Sequence, residues 1–316
     1  MIAFGPVPSR RLGYSLGINH IPPKHCSYSC VYCQVGRTTH LQTTRREFFP
    51  VNQIIQAVEQ KILESAQNDR AIDYLTFVPD GEPTLDFNLG KAIEGLKKFG
   101  KPIAVIYNSS LIDHPEVQDD LLQADWVSLK VDAVNEDVWR RINRPYRTLS
   151  LPTILDGILA FRNRFQGQLV TETMLVSGIN DSETAIQNLS SYLQQLAPEK
   201  SYLSIPTRPP AETWVKPPDA EALQRILSFL SAKIDFLDLL FETEVADFIA
   251  TGNIYEAILS IAAVHPIREE ALRFMIDHAG EEWKVVEELL AQKKLTSILY
   301  REELFYMRQF SPSQTD

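Results

Sequence analysis

Apolar, β-branched runs alternate with stretches of helical periodicity along most of this chain, and that alternation restricts the fold more than any other feature. Short runs that read as strands occupy residues 15–19, 72–78, 102–107, 126–131, 169–176 and 202–205. Between them, residues 51–66, 87–99, 152–165, 182–196 and 220–232 carry the spacing of amphipathic helices. The first of these sets Ile54, Ile55, Val58 and Ile62 along one stripe. Strand followed by helix, repeated in this way, predicts parallel βα units. The expected fold class is α/β, a partial (β/α)6 TIM-like barrel over residues 1–243, with a doubly wound open sheet as the alternative.

The pattern changes near Val245. Helical patterns at 254–264, 268–278 and 281–292 precede two β-like runs at 295–299 and 304–308. Residues 244–312 are therefore expected to form a small winged-helix-like domain. Domains of this kind often set a helix in the DNA major groove. Residues 245–316, however, hold seven Lys and Arg against twelve Asp and Glu, and a DNA-reading module is expected to be basic. Packing or partner binding is the favoured role.

The formal net charge of −10 points the same way, because the field of the whole chain repels phosphates. Nucleic acid is not favoured as a partner. Arg140, Arg141, Arg144 and Arg147 form one basic cluster, and Arg37, Arg45 and Arg46 another. Both read most simply as solvated helix ends and loops. No run approaches the ~20 apolar residues of a membrane helix, and residues 1–11 lack the apolar stretch of a signal peptide. No membrane association and a cytoplasmic location are expected.

Only three cysteines are present, and they lie together in His25-Cys26-Ser27-Tyr28-Ser29-Cys30-Val31-Tyr32-Cys33, spaced C-x3-C-x2-C. Three thiols in one loop read as a ligand set rather than a disulfide framework. An iron–sulfur cubane takes four ligands, commonly thiolates, so three leave one iron open to a substrate or cofactor. The alternative is zinc, completed by His20, His25 or His40. Structural zinc more often staples two separated pairs of ligands together, which this loop does not supply.

That spacing, with an aromatic residue just before the last cysteine, resembles the signature of the radical S-adenosylmethionine superfamily. The stretch from Gly5 to Ile18 (GPVPSRRLGYSLGI), Gly81 to Leu85 (GEPTL) and Arg208-Pro209-Pro210 narrow the resemblance. They are similar to a little-characterised group of Fe–S oxidoreductases related to the tRNA wybutosine-synthesising radical enzymes. The resemblance implies a [4Fe-4S] cluster on Cys26, Cys30 and Cys33. It implies S-adenosyl-L-methionine on the open iron, cleaved on reduction to methionine and a 5′-deoxyadenosyl radical that abstracts hydrogen. It also implies a one-electron reductant such as flavodoxin or ferredoxin. No fourth cysteine is present, so auxiliary Cys-ligated clusters and a cysteine hydrogen donor within this chain are not expected.

The strand ends give a second line of argument, since a βα barrel carries its site at the C-terminal ends of its strands. Polar or glycine residues follow or end the predicted strands, Gly81 and Glu82, Asn108, Ser128 and Lys130, and Arg208 among them, and Glu172 stands out as an acid inside the apolar run 169–176. A sulfonium carrying an amino-acid tail needs a carboxylate for its ammonium, and Glu82 is the candidate, with Gly81 allowing close backbone approach. The superfamily has Gly-Gly-Glu here, whereas this chain has Asp80 in place of the first glycine. Ser128 and Lys130 match residues that related activating enzymes use toward carboxylate or ribose, and Asn108 is a further candidate for those groups. Glu172 and Arg208 are the substrate candidates, Arg208 by bidentate contact with carboxylate or phosphate. Three functions compete: a radical enzyme acting on a small molecule, one modifying RNA or a partner protein, and a redox-sensing DNA-binding regulator.

Overall fold

The computed structural model describes residues 2–68, 70–240, 254–264, 266–300 and 302–309. The expected domain boundary at 243/244 and the end of the second domain at 312 lie outside them. The chain opens with a hairpin, β1 (Ala3–Ser9) and β2 (Gly13–Ile18), followed by two-residue strands β3 (His25–Cys26) and β4 (His40–Leu41). Then come α1 (Val51–Gln67), β5 (Tyr74–Phe77), α2 (Leu89–Leu96), β6 (Ile103–Tyr107), α3 (Pro115–Leu121) and β7 (Trp126–Lys130). Next are α4 (Glu136–Asn143), α5 (Leu151–Arg164), β8 (Gln168–Met174), α6 (Glu183–Leu196), β9 (Lys200–Ser204), α7 (Ala220–Ser231) and β10 (Leu237–Leu239).

The main sheet has eight strands in the order β1-β2-β5-β6-β7-β8-β9-β10. From β2 to β10 every pairing is parallel, and only β1 runs antiparallel to its neighbour. Strands added always on the same side make a barrel-type sheet, whereas a doubly wound sheet reverses at a switch point. The sequential order therefore decides between the two readings in favour of the partial barrel, whose edges β1 and β10 do not pair. All six expected parallel strands are present, joined by a seventh, β10. Three features differ from expectation. β1 is hidden in sequence by Pro6 and Pro8, which an edge strand tolerates. The helices α3 and α4 are only seven and eight residues long, too short to show a periodic stripe. α4 is set instead by its cap, where Asn135 accepts hydrogen bonds from the N–H groups of Asp137 and Val138.

Outward-facing residues of the strands, among them Leu16, Leu75, Phe77, Val105, Val127 and Leu169, form the principal core with the surrounding helices. Inside the barrel, residues two apart share a face: Trp126, Ser128 and Lys130 on β7, and Val170, Glu172 and Met174 on β8. At the N-terminal ends of the strands Ala104, Trp126, Val170 and Tyr202 pack with Leu12 and Leu240. These close the barrel with an apolar floor. Above it the lining turns polar, beginning with the Ser15–Thr76 hydroxyl pair at 2.6 Å.

After residue 253, α8 (Ile254–Val264), β11 (Ile267–Arg268), α9 (Glu269–His278), α10 (Lys284–Ala291), β12 (Leu295–Tyr300) and β13 (Glu303–Arg308) follow. The three strands form a separate antiparallel sheet in the order β11-β13-β12. They share an apolar core with the three helices. Val7 of β1 packs against that core, so this unit leans on the edge of the barrel.

Trp126 is 1% exposed and is the largest side chain of the floor. Trp126→Ala should lower the stability of the protein by about 3–5 kcal/mol, measured as a shift of the denaturant midpoint. A loss below about 1 kcal/mol would show that the floor is not packed as described.

Candidate active site

The cysteine loop leaves the end of β2 and is held from several sides. At its start, the β6 loop reaches across: Asn108 donates from Nδ2 to Ser27 Oγ (2.8 Å) and to Cys26 Sγ (3.4 Å), and the hydroxyls of Ser110 and Ser27 are 2.6 Å apart. Ser109 takes a left-handed conformation, φ 68°, and its hydroxyl accepts from the Lys130 N–H, so this loop also touches β7. In the middle, Ser29 and Val31 donate their backbone N–H groups to the carbonyls of Asn143 and Ile142 at the end of α4. Asn143 Nδ2 donates to Asp132 (2.7 Å) and to Cys30 Sγ (3.4 Å), and Tyr32 OH donates to the same Asp132 carboxylate. At the far end Glu212 donates its N–H to the Val31 carbonyl. Its carboxylate pairs with Arg37 (2.8 Å) and Arg144 (2.5 Å).

All three thiols are free and half-buried. Burial raises their pKa values, Cys30 to about 12 with Asp132 adding to the effect, and Cys26 and Cys33 upward as well. The amide donors aimed at Cys26 and Cys30 suit sulfurs that are negative acceptors, the form that metal ligation produces in place of the thiol. The residues therefore fit an iron–sulfur cluster. They fit zinc less well. His20 is fully buried, held near the Pro83 carbonyl, with its pKa lowered by burial to about 4. The His25 and His40 rings stack on each other at 4.2 Å. Among the described residues no three His, Cys, Asp or Glu side chains gather around a single ion, whereas cluster cysteines each take a different iron.

Cys30 and Cys33 open onto a cavity of about 450 Å³ inside the barrel. Of the residues singled out in sequence, Asn108, Lys130, Glu172 and Arg208 line it. Glu82 does not. Its carboxylate is buried and taken up internally, accepting from the Thr84 N–H (3.0 Å) and hydroxyl and from the Asn108 N–H (2.9 Å), and burial raises its pKa to about 7. Its visible role is to shape the wall and position Asn108. Gly81 abuts the cysteine loop: a Cβ there would stand 2.1 Å from the His25 carbonyl oxygen. Ser128 is buried between Trp126 and Lys130 and is not among the lining residues.

Glu172 is the electrostatic centre of the cavity. It pairs with Lys130 at 3.0 Å and with Arg11 from the β1–β2 turn. Burial alone would raise its pKa, but Lys130 and Arg11 more than reverse this and hold it at about 2. Arg11 was not singled out as a site residue. It sits within the family-like stretch from Gly5 to Ile18, but its place in the cavity depends on β1 folding back beside β2. Asn143 and Glu212 were missed for the same kind of reason, since their partners lie 113 and 175 residues away.

The sequence model of the radical SAM superfamily matches residues 21–188, and this chain belongs to that superfamily. It is therefore a radical SAM enzyme, of a family that uses a [4Fe-4S] cluster and S-adenosylmethionine. The UPF0026 protein of Methanocaldococcus jannaschii is 47% identical over 309 residues, 97% of this chain and 96% of that protein. Among solved structures, a radical SAM methyltransferase from Sphaerobacter thermophilus matches with a TM-score of 0.54 at 16% identity, covering 75% of this chain and 69% of that one. SuiB from Streptococcus suis, bound to S-adenosylmethionine, matches with a TM-score of 0.52 at 13% identity, covering 72% and 51%. At these identities the likeness to solved structures is one of fold. Archaeal TYW1 also matches, at a TM-score of 0.45. No helix among the described residues is long and apolar enough to cross a membrane.

The Glu172 cluster gives a pH signature. A carboxylate held at about 2 in the fold against an ordinary 4.5 stabilises the protein above pH 4.5, and that contribution is lost as the pH falls toward 2. Glu172→Gln leaves Lys130 and Arg11 without their shared counter-charge and should cost about 3 kcal/mol at neutral pH. The difference from wild type should shrink through the acid range, as followed by denaturation at a series of pH values.

Proposed function

We propose that Cys26, Cys30 and Cys33 hold a [4Fe-4S] cluster with one iron left for S-adenosylmethionine, and that the barrel cavity takes a small molecule from which hydrogen is abstracted. The observation that carries this reading is the cavity itself. Two of the three thiols face it, polar side chains from several parallel strands line it, and its volume falls within the ~300–1,000 Å³ of small-molecule sites. When bound, the cluster and S-adenosylmethionine supply the one-electron chemistry that produces the abstracting radical, with the electron coming from an external donor such as flavodoxin or ferredoxin.

The chain's own residues bind, orient and exclude water. Asn108 and Asn143 direct amide hydrogens at two cluster sulfurs, a contact that tunes cluster potential. Tyr32 and Asp132 lock the last turn of the cysteine loop. Lys130, lining the cavity beside Cys30 and Cys33, is the contact we assign to S-adenosylmethionine, while Asn108 is committed to Ser27, Cys26 and Ser110 and holds the cysteine loop in place. Gly81, Glu82 and Ser128 support that wall rather than touch the ligand. Leu12, Trp126 and Leu240 pack as an apolar floor at the N-terminal ends of the strands.

A large RNA or protein substrate is less well supported. Five of the arginines of the two basic clusters are engaged within the chain: Arg140 with Glu136, Arg141 with the Gly178 carbonyl, Arg144 and Arg37 with Glu212, and Arg45 with Asp120. None of them lines the cavity.

Anaerobic reconstitution with iron and sulfide, followed by reduction in the presence of S-adenosylmethionine, tests the proposal. The wild-type protein should release 5′-deoxyadenosine, and Cys30→Ala should lose both the iron and the product. A normal cluster spectrum without 5′-deoxyadenosine would overturn the reading.

A further inference from the structure

We infer that Glu212 is a latch on the mouth of the cavity. It fastens the segment 205–216 to the cysteine loop, and its release opens the way by which small molecules reach Cys30 and Cys33. The sheet does not close on itself, since β1 and β10 do not pair with each other. At the C-terminal ends of the strands this segment makes the missing connection. It leaves β9, and its residues Ile205, Thr207 and Arg208 line the cavity. Further on, Glu212 meets the loop that follows β2, a strand five places away in the sheet order. The segment is anchored again just beyond, where Val215 is buried in the principal core and the Lys216 carbonyl accepts from the Ser177 N–H at 2.9 Å. Pro209-Pro210 and Pro217-Pro218 stiffen the chain on either side of Glu212.

Glu212 grips the cysteine loop at two levels. Its N–H donates to the Val31 carbonyl at 3.0 Å, between Cys30 and Cys33. Its carboxylate holds Arg37, just past Cys33, and Arg144, next to the Asn143 that donates to Cys30. Arg144 takes a left-handed conformation at the end of α4, φ 45°, in a position where glycine is usual. An arginine there costs backbone strain, and the contact it gains is Glu212. The hold is reversible by its physics. The Glu212 side chain is 7% exposed, but those of Arg37 and Arg144 are 70% and 42% exposed. Ion pairs that reach solvent are weak and are screened by salt. Two such pairs and a backbone hydrogen bond give a closure that thermal motion can release.

The inference rests on the cavity being the site proposed above, and its test separates access from chemistry. The full-length apoprotein is treated with iodoacetamide, a neutral reagent, and alkylation of each cysteine is followed by peptide mass spectrometry. E212Q should speed the reaction of Cys30 and Cys33 about fivefold, with E212D between it and wild type. Cys26, which is not among the cavity-lining residues, should change less. Raising the salt to about 1 M should speed the wild-type reaction and leave E212Q unmoved, because the pairs that salt screens are already gone. R37Q and R144Q should each act in the same direction, and adding R37Q to E212Q should bring no further gain. In the reconstituted holoenzyme, E212Q should lose iron to a chelator faster than wild type. Unchanged rates at Cys30 and Cys33 overturn the inference. So does an equal rise at all three cysteines that salt still increases, the sign of general loosening. Should E212Q fail to fold, R37Q, R144Q and the wild-type salt series carry the comparison. Absence of 5′-deoxyadenosine from the reduced wild-type holoenzyme strikes at the radical reading and leaves the alkylation result standing.

Discussion

The site depends on the rigidity of the loop that carries Cys26, Cys30 and Cys33. Three ligands in one short segment could bind many things if the segment were free to move. Here the loop is tied to the end of β6 through Asn108 and Ser110, to the end of α4 through backbone hydrogen bonds at Ser29 and Val31, and to Glu212 beyond β9. Each tie spends a polar group that would otherwise be costly to bury. Together they fix where the thiols point before any metal arrives, the kind of preorganisation that metal sites draw from their surroundings.

The barrel interior is layered in the same economical way. Apolar side chains at the N-terminal strand ends seal one end, and the polar and charged groups sit above them, toward the thiols. Burying Glu172, Lys130 and Arg11 together is tolerated because the carboxylate is shared, and a buried charge is costly chiefly when it lacks a partner. The arrangement also gives the N-terminal hairpin a function beyond edge protection, since its turn supplies both Leu12 to the floor and Arg11 to the wall.

Much of this was legible in sequence, and the exceptions have physical causes. The parallel strands were readable because each is a short apolar, β-branched run between helical patterns, and α1 was readable from its stripe of Ile54, Val58 and Ile62. The edge strand β1 was not, because its prolines mimic a loop. α3 and α4 were not, because seven or eight residues give too few turns for periodicity to show. Among the site residues, Lys130, Asn108 and Arg208 stood out as polar groups at strand ends and Glu172 as an acid inside an apolar run, and all four line the cavity. Glu82 stood out by the same rule, yet its oxygens are consumed by a cap on Thr84 and by the Asn108 N–H. A strand-end position says where a residue begins, not what its side chain finds.

Local spacing alone brings three thiols together in one loop, the pattern read above as a ligand set with one position left open, and alternates strands with helices. Both are short-range properties, set by residues within a few positions of one another. Tertiary structure alone decided that the sheet closes partway in sequential order, and that Arg11 and Lys130 meet on Glu172. It alone decided that Asn143 and Glu212 hold the cysteine loop. Those contacts join residues dozens to hundreds of positions apart, and the packing of helices against the sheet brings them together. No local pattern in the chain records which distant partner each will meet.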